Sequence, residues 1–238
     1  LITSCAACDN VVATRPPTSP APAIIILLLI YHPYCHACCH PYFRSRHSPL
    51  FASDVSIGAM NPASNIILIG PMGAGKTSIG KRLAGLMGLH FVDADHRLEE
   101  VTGVAVPLIF ECEGEAGFRQ RESQLINELC QGKNQLIATG GGAVLSADNR
   151  RQLQGNGFVV YLQVTVEQQL ERLARDRSRP LLAGGDKREK LLGLCAIRHP
   201  LYLEIADLVY QSNDNQVANA VAGLQRQLQH HWQRAEAA

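Results

Sequence analysis

Apolar runs alternate with stretches of helical spacing over most of the chain after residue 60. Short runs rich in β-branched residues predict strands, and apolar residues spaced three and four apart predict helices between and after them. The predicted strands are residues 66–69, 89–92, 135–138, 158–164 and 207–210. This alternation predicts an α/β fold of three layers (α/β/α), with a five-stranded parallel sheet between two layers of helices. In such sheets ligands bind beyond the carboxyl ends of the strands, so the residues that follow each strand are candidates for chemistry.

Two helices have patterns specific enough to test. Residues 78–87 place Ile79, Leu83 and Leu86 at the spacing of one buried helical face. Residues 216–232 form an amphipathic pattern near the end of the chain. We expect the first helix to pack on the sheet through that face, and we expect the second to close the fold.

The segment after the first predicted strand carries a phosphate-binding pattern. Its sequence, GPMGAGKT at residues 70–77, fits G-x-x-x-x-G-K-[ST] at every position and lies between a strand and a helix. The glycines let backbone N–H groups point at phosphates, and the N-terminus of the next helix adds partial positive charge. In this pattern the lysine reaches the β- and γ-phosphates, and the last hydroxyl binds Mg²⁺. We therefore expect an ATP site, with Thr77 on Mg²⁺, formed by Gly73, Ala74, Gly75, Lys76, Thr77 and Ser78.

Acids and glycines follow the second and third predicted strands. Asp93 is suited to the Mg²⁺ shell, through a water molecule, and Asp95 is suited to a substrate hydroxyl. The alternative for this pair is a helix N-cap followed by an acid that faces solvent. The glycines at residues 140–142 let a substrate approach the backbone closely, although taken alone they also fit a flexible turn.

The composition of residues 1–59 differs from that of the rest of the chain. This segment contains seven of the twelve prolines and five of the eight cysteines, with no lysine and no glutamate. Such a composition does not allow a segment to bury much of a core. We therefore expect that Met60 is the true initiator and that the upstream residues come from a start site assigned too far upstream. A real but disordered extension is the alternative.

Two features of this first segment have functional interpretations. Residues 24–30 are apolar, but this run is far shorter than the roughly 20 residues of a membrane-spanning helix, and its flanks do not fit a signal peptide. The pairs Cys5/Cys8 and Cys35/Cys38 have the spacing of zinc ligands, but no pattern of strands and turns typical of a zinc module surrounds them. We expect neither secretion nor a zinc site.

The charge of the whole chain gives no electrostatic argument for a polyanionic partner. Lysine plus arginine number 22 and aspartate plus glutamate number 21, for a net charge of +1. We expect no nucleic acid and no membrane among the partners, and a cytoplasmic location.

From Met60 to about Trp232 the sequence resembles the shikimate kinase family, in the nucleoside-monophosphate-kinase-like group of phosphate-loop folds. The motifs that carry this resemblance are GPMGAGKT, FVDADHRLEE, IFECEGEAGFRQRE, ATGGG, RPLLAG and RHPLYLEIAD. The resemblance implies one kinase domain at residues 60–238, acting as a monomer on shikimate and ATP with Mg²⁺. It implies phosphorylation of the 3-hydroxyl of shikimate to 3-phosphoshikimate, on the route to chorismate and the aromatic amino acids.

The resemblance also assigns an acceptor pocket. Asp95 is expected to bind the reacting hydroxyl, Arg119 and Arg198 to bind the carboxylate, and Gly141 to line the same pocket. The chemistry fits, because two planar guanidiniums bind a carboxylate bidentately and so hold a small acid in one orientation.

The catalytic groups implied by the resemblance are Lys76, Asp95 and Arg179. The last of these lies on a mobile lid at about residues 174–188, where it would also contact ATP. Arg172 or Arg175 would pack near the adenine, and the residues leave that choice open.

Two other kinds of protein could share parts of this pattern. A gluconate-type or nucleoside-monophosphate kinase would share the phosphate loop, but Arg119, Gly141 and Arg198 argue against it. A partner-binding protein without catalysis would not need Lys76, Asp95 or Arg179, and all three are present.

Overall fold

Five short parallel strands form the centre of the fold, in the order β2-β3-β1-β4-β5. The structure is a computed structural model, and it describes residues 63–174, 186–211 and 216–232. The parallel sheet predicted from the sequence is confirmed, with strand ends that differ by one residue at most. The strands are β1 (Ile66–Ile69), β2 (His90–Asp93), β3 (Gln135–Ala138), β4 (Phe158–Gln163) and β5 (Leu208–Gln211).

Helices connect the strands and cover both faces of the sheet. A short 3-10 helix, Ala143–Leu145, follows β3. The α-helices are α1 (Lys76–Met87), α2 (Ala94–Thr102), α3 (Val106–Cys130), α4 (Ala147–Asn156), α5 (Val166–Arg172), α6 (Lys187–Ile205) and α7 (Val217–His231).

The two faces of the sheet bury separate hydrophobic clusters. In β1, Ile66 and Leu68 pack on the side of α1 and α7, whereas Ile67 and Ile69 pack on the side of α3, α4 and α6. All four side chains are fully buried, because a central parallel strand is covered on both faces. The fold therefore has the three layers that the sequence predicted.

Helix α1 packs on the sheet through a face that differs from the predicted one. Ile79 and Leu83 are buried as predicted, but Leu86 is 60% exposed, so that part of the prediction is wrong. The reason is Gly80, which is buried against the sheet and where a Cβ would lie 2.8 Å from Phe91 and 3.1 Å from Leu68. A small residue at this position lets the helix approach closely and turns Leu86 toward solvent.

Helix α7 closes the fold, as the amphipathic pattern predicted. Val221 and Leu224 are buried in the cluster on the α1 side of the sheet. After the helix, the indole N–H of Trp232 donates to the carbonyl of Ala63 at 2.9 Å. This bond joins the end of α7 to the residues that precede β1.

Helix α3 has a kink that separates two packing regions. Gly114 has φ 68° and ψ −174°, which interrupts the helical conformation. Leu98 of α2 packs with Ile109 and Phe118, which lie on either side of the kink, in a cluster of its own. This cluster supports the part of α3 that carries Arg119.

Several predictions concern residues outside the described ranges. These are the Met60 start, the two Cys-x-x-Cys pairs, Arg175 and Arg179, and most of the lid. Among the described residues, no helix is long and apolar enough to cross a membrane, and no cluster of His, Cys, Asp and Glu has the geometry of a metal site.

Candidate active site

The phosphate loop connects the end of β1 to the start of α1. Gly73 and Gly75 have φ values of +77° and +88°, a left-handed conformation that favours glycine. Helix α1 begins at Lys76, so the N–H groups of its first turn have no partner within the helix and face the loop. A loop of this geometry is suited to bind an anion.

The side chain of Lys76 lies against the loop that carries it. Its Nζ donates to the carbonyl oxygens of Gly70 at 2.8 Å and Pro71 at 2.9 Å. These bonds hold the ammonium group beside the loop, where a phosphate chain would lie.

Thr77 and Asp93 bring two oxygen ligands together next to the loop. Thr77 Oγ1 donates to Asp93 Oδ2 at 2.6 Å. The other oxygen of Asp93 accepts from the N–H groups of Asp95 and His96 and so caps α2. Asp93 is therefore the N-cap of α2, which was the alternative interpretation of this residue, and it also faces the phosphate loop. Hydroxyl and carboxylate oxygens are the ligands that Mg²⁺ prefers, so this pair fits the metal.

The glycine turn after β3 lies between two carboxylates and the phosphate loop. A Cβ on Gly140 would lie 2.8 Å from Asp95 Oδ1 and 2.6 Å from Glu122 Oε1. A Cβ on Gly141 would lie 3.4 Å from the backbone nitrogen of Met72 in the phosphate loop. Asp95 is half-buried, so it does not face solvent freely. The turn thus brings the acid after β2 close to the loop after β1.

Arg119 is held by two glutamates of its own helix. Its Nη1 donates to Glu122 Oε2 at 2.6 Å, and its Nε and Nη2 donate to Glu115 Oε1 at 3.3 and 3.1 Å. The guanidinium lies 5.1 Å from the centroid of the Phe118 ring. It also lies against Gly142, where a Cβ would be 2.5 Å from Arg119 Cζ. Burial disfavours the charge of Arg119, but the glutamates more than offset it and the pKa stays above its ordinary value.

Glu122 is a buried carboxylate with one oxygen unused. Only 3% of Glu122 is exposed, and its Oε1 has no hydrogen-bond partner within the described part of the chain. Burial raises the pKa of Glu122, the Arg119 guanidinium opposes this, and the charge of Asp95 adds to it. An unpaired buried oxygen is unfavourable, so Oε1 marks a position where a hydrogen-bond donor would be stabilised.

Arg198 reaches the same place from α6. It is 4% exposed, and its Nη1 lies 3.6 Å from the position of a Cβ on Gly141. One turn later on α6, the hydroxyl of Tyr202 donates to the carbonyl of Gly141 at 2.5 Å. Helix α6 therefore contributes both a cation and a hydrogen-bond donor to the glycine turn.

One cleft of about 270 Å³ contains most of the predicted site residues. Ala74 does not line the cleft: it is buried, and its N–H donates to Pro71 O at 3.3 Å within the loop. Arg179 lies outside the described residues. The predicted residues that line the cleft are Gly73, Gly75, Lys76, Thr77, Ser78, Asp93, Asp95, Arg119, Gly141 and Arg198.

Arg172, one of the two arginines considered for the adenine, lies beside the phosphate loop. It is in the last turn of α5, and its Nη1 donates to the carbonyl of Gly73 at 3.1 Å. The next residue, Leu173, also lines the cleft and packs against Gly73. The end of α5 therefore lies on the phosphate-loop side of the cleft.

The sequence interpretation did not name Glu122 or Tyr202 as site residues, and it named Gly142 only as part of the glycine run. Glu122 and Gly142 line the cleft, and Tyr202 contacts its glycine turn. Helical spacing was the signal for two of them, since Glu122 is three residues after Arg119 and Tyr202 is four after Arg198. No sequence signal distinguished Gly142 from its neighbours, because its role follows from how close Arg119 lies to it.

Comparison with known proteins identifies a family model and several similar proteins that match this chain. The shikimate kinase family model matches residues 72–229. A shikimate kinase of Stenotrophomonas maltophilia is 51% identical over 177 residues, which are 74% of this chain and 98% of that protein. A shikimate kinase of Xylella fastidiosa is 48% identical over 176 residues, with the same two coverages.

Two solved structures extend the comparison to the fold. The shikimate kinase of Acinetobacter baumannii in complex with shikimate is 47% identical, with a TM-score of 0.67, and the match covers 71% of this chain and 94% of that one. The shikimate kinase of Bacteroides thetaiotaomicron is 32% identical, with a TM-score of 0.64 and coverages of 69% and 98%. Sequence and fold agree, and the chain belongs to the shikimate kinase family.

Proposed function

We propose that this protein transfers the γ-phosphoryl group of ATP to the 3-hydroxyl of shikimate, giving 3-phosphoshikimate and ADP. One observation carries the proposal. A phosphate loop and a pocket with Asp95, Arg119 and Arg198 line the same cleft, within a chain about 50% identical to shikimate kinases. The reaction is a step of the shikimate pathway to the aromatic amino acids.

The acceptor is oriented by its carboxylate. Arg119 and Arg198 approach the glycine turn from α3 and α6, and each offers a planar set of N–H donors. Glu122 keeps one edge of the Arg119 guanidinium occupied, which fixes the direction in which the remaining donors point. The exposed Glu115 occupies the other edge, and a substrate carboxylate would take its place. A carboxylate held by two guanidiniums leaves the ring of the acid one orientation in the cleft.

Asp95 acts on the hydroxyl that attacks. Its Oδ1 lies beside the glycine turn, and Asp95 lines the same cleft as the phosphate loop. We assign it the role of aligning the hydroxyl with the γ-phosphorus and accepting its proton late in the transfer. The bond from the γ-phosphorus to the bridging oxygen breaks as the bond to the acceptor oxygen forms.

The donor is held by the phosphate loop. The N–H groups of the loop and of the first turn of α1 bind the phosphates, and Lys76 neutralises charge on the group in transfer. Thr77 would hold Mg²⁺ directly and Asp93 would hold it through water, and the metal would neutralise negative charge on the phosphates. Arg179, on the lid implied by the family resemblance, would close over the phosphates and exclude water.

The active unit is proposed to be a cytoplasmic monomer. Every described residue that we place in the reaction comes from one chain and lines one cleft.

A coupled assay of ATP consumption tests this function. Shikimate, quinate, gluconate and nucleoside monophosphates are compared as acceptors, and the product is identified by its mass. Among these acceptors, we expect saturable turnover only with shikimate. This turnover should be lost when EDTA is added and restored when Mg²⁺ is added. Faster turnover with gluconate or a nucleotide than with shikimate would contradict the proposal, and so would turnover that persists without a divalent metal.

A further inference from the structure

The turn that lines the acceptor pocket lacks side chains, so its conformation depends on hydrogen bonds. Residues 140–142 are all glycine, which gives this segment more backbone freedom than any other residue type would. Two of its carbonyls are fixed locally: Gly140 O accepts from Ala143 N at 3.2 Å, and Gly142 O accepts from Leu145 N at 3.0 Å. The carbonyl of Gly141 is hydrogen-bonded to a residue outside this turn.

The partner of that carbonyl is the hydroxyl of Tyr202, at 2.5 Å and 61 residues away along the chain. Tyr202 is 2% exposed, so water does not compete for the bond. Burial raises the pKa of Tyr202 although the nearby Arg198 guanidinium acts in the opposite direction. The hydroxyl therefore keeps its proton at neutral pH and remains a donor to Gly141.

The ring of Tyr202 is fixed by packing as well. It stacks on Tyr161 of β4, with ring centroids 4.9 Å apart and planes at 25°. The hydroxyl of Tyr161 is hydrogen-bonded to Nδ1 of His199, at 3.0 Å, and does not contact the glycine turn. The two tyrosines thus share one buried environment, and only Tyr202 is hydrogen-bonded to the glycine turn.

We propose that Tyr202 is a positioning residue of the acceptor site, which fixes the Gly141 peptide next to Arg198. A peptide group is planar, so an anchored Gly141 carbonyl sets the direction of the Gly142 N–H on the same peptide. Arg198 and Tyr202 lie one turn apart on α6, so the helix places the carboxylate-binding guanidinium and the glycine turn relative to each other. This inference rests on the proposed function, because it concerns how shikimate is bound.

The test is the pair of variants Tyr202→Phe and Tyr161→Phe, each of which removes one buried hydroxyl from the same stack. For Tyr202→Phe we expect the KM for shikimate to rise about tenfold, with the KM for ATP within twofold of wild type. For Tyr161→Phe we expect both constants to stay within twofold. Calorimetric titration with shikimate should show the same difference in affinity. Assays are run well below the melting temperature of each variant, so that loss of folded protein does not contribute.

A third variant separates the hydrogen bond from the shape of the ring. Replacement of Tyr202 by 4-aminophenylalanine keeps the ring and a weaker donor, so the KM for shikimate should rise about two- to fivefold, between wild type and Tyr202→Phe. If Tyr202→Phe does not fold, this variant carries the test by itself. An unchanged KM for shikimate in either Tyr202 variant would overturn the inference. Equal effects of Tyr161→Phe, or an equal rise in the KM for ATP, would overturn it too.

The same measurements distinguish a failure of this inference from a failure of the proposed function. If the wild-type protein does not phosphorylate shikimate, the proposed function fails, and the calorimetric titrations alone then decide whether Tyr202 affects the binding of shikimate. If wild type is active and the variants do not differ, only the role of Tyr202 fails.

Discussion

The donor and acceptor sides of the cleft are built in different ways. The donor side is one contiguous segment, residues 70–77, whose shape is set by its own backbone. The acceptor side takes Asp95 from α2, Arg119 from α3, Gly141 from the turn after β3 and Arg198 from α6. These residues span more than a hundred positions of the sequence, and the parallel sheet brings them together.

The two sides also differ in their exposure to solvent. Thr77 and Ser78, on the donor side, are exposed, whereas Arg198 and Glu122, on the acceptor side, are almost fully buried. We therefore expect the donor side to bind phosphates mainly through backbone N–H groups, and the acceptor side to depend on side chains fixed by burial and ion pairs. Substitutions on the acceptor side should therefore affect shikimate and leave ATP nearly unchanged.

The largest expected effect is that of Asp95→Asn. The amide keeps the size of the carboxylate but does not accept the proton or carry the charge, so we expect kcat to fall about 10²- to 10³-fold. Binding of ATP should be unchanged, because Asp95 does not belong to the phosphate loop. Steady-state kinetics and a titration with an ATP analogue measure the two quantities. Near-normal turnover would reduce Asp95 to a structural acid of α2.

The next effect concerns the two arginines. Lysine keeps the charge but not the planar set of donors, so Arg119→Lys and Arg198→Lys should each raise the KM for shikimate by roughly ten- to a hundredfold. The KM for ATP should stay close to that of wild type. Both constants are obtained by varying each substrate separately.

A matched control lies on the same helix as Arg119. Arg121 forms hydrogen bonds to both carboxylate oxygens of Glu113, at 2.8 and 2.7 Å, but it is exposed and does not line the cleft. We expect Arg121→Lys to change neither constant by more than twofold. If it weakened shikimate as much as Arg119→Lys, the acceptor pocket would be misplaced.

A smaller effect is expected for Gly142→Ala. This substitution adds one methyl group to the acceptor side and leaves the donor side unchanged. The new Cβ would overlap the Arg119 guanidinium, a flexible group that moves at little cost in stability but is needed for the substrate carboxylate. We expect the KM for shikimate to rise about fivefold, with stability changed by less than about 1 kcal/mol. Thermal unfolding and kinetics of the same preparation measure both.

Gly85→Ala is the control for the added methyl group. Gly85 lies in α1 with no atom within 4 Å of an added Cβ, so alanine there should stabilise the helix by about 0.5–1 kcal/mol without changing either KM. If Gly142→Ala left the shikimate constant unchanged, the close approach of Arg119 to the turn would not matter for binding.

The smallest effect is expected on removal of residues 1–59. The family match begins at residue 72, and every residue placed in the reaction lies after Met60. A chain that begins at Met60 should keep kcat and both KM values within twofold, and its melting temperature should be unchanged. Loss of activity, or recovery of abundant peptides from this segment in the native protein, would contradict this expectation.

The sequence predicted the donor side well because the relevant signal is local. Glycines at fixed offsets, a lysine and a hydroxyl next to a strand determine the loop conformation over eight residues. The five strands were predicted almost to the residue for a similar reason, since each is a short apolar run with clear ends. The packing of α1 was predicted less well, because Gly80 moves the helix in a way that hydrophobic spacing does not reveal.

The acceptor side could be predicted only through the family resemblance. Nothing in the spacing of Asp95, Arg119 and Arg198 indicates that they meet, because their approach depends on three helices and the order of the strands. Helical spacing places Glu122 and Tyr202 on the same helix faces as Arg119 and Arg198, but it does not show that these faces are buried at the site, so both residues were missed. These contacts depend on tertiary packing.

Trp232 gives the molecule an internal optical reporter. It is the only tryptophan in the sequence, and its indole is buried between the end of α7 and Ala63. It does not line the cleft that holds the reaction. Fluorescence from a buried indole shifts to longer wavelength when water reaches it, so the emission maximum should report unfolding. It should not change when a ligand binds in the cleft. Unfolding can therefore be followed with substrates present in the cleft, without a dye or a label.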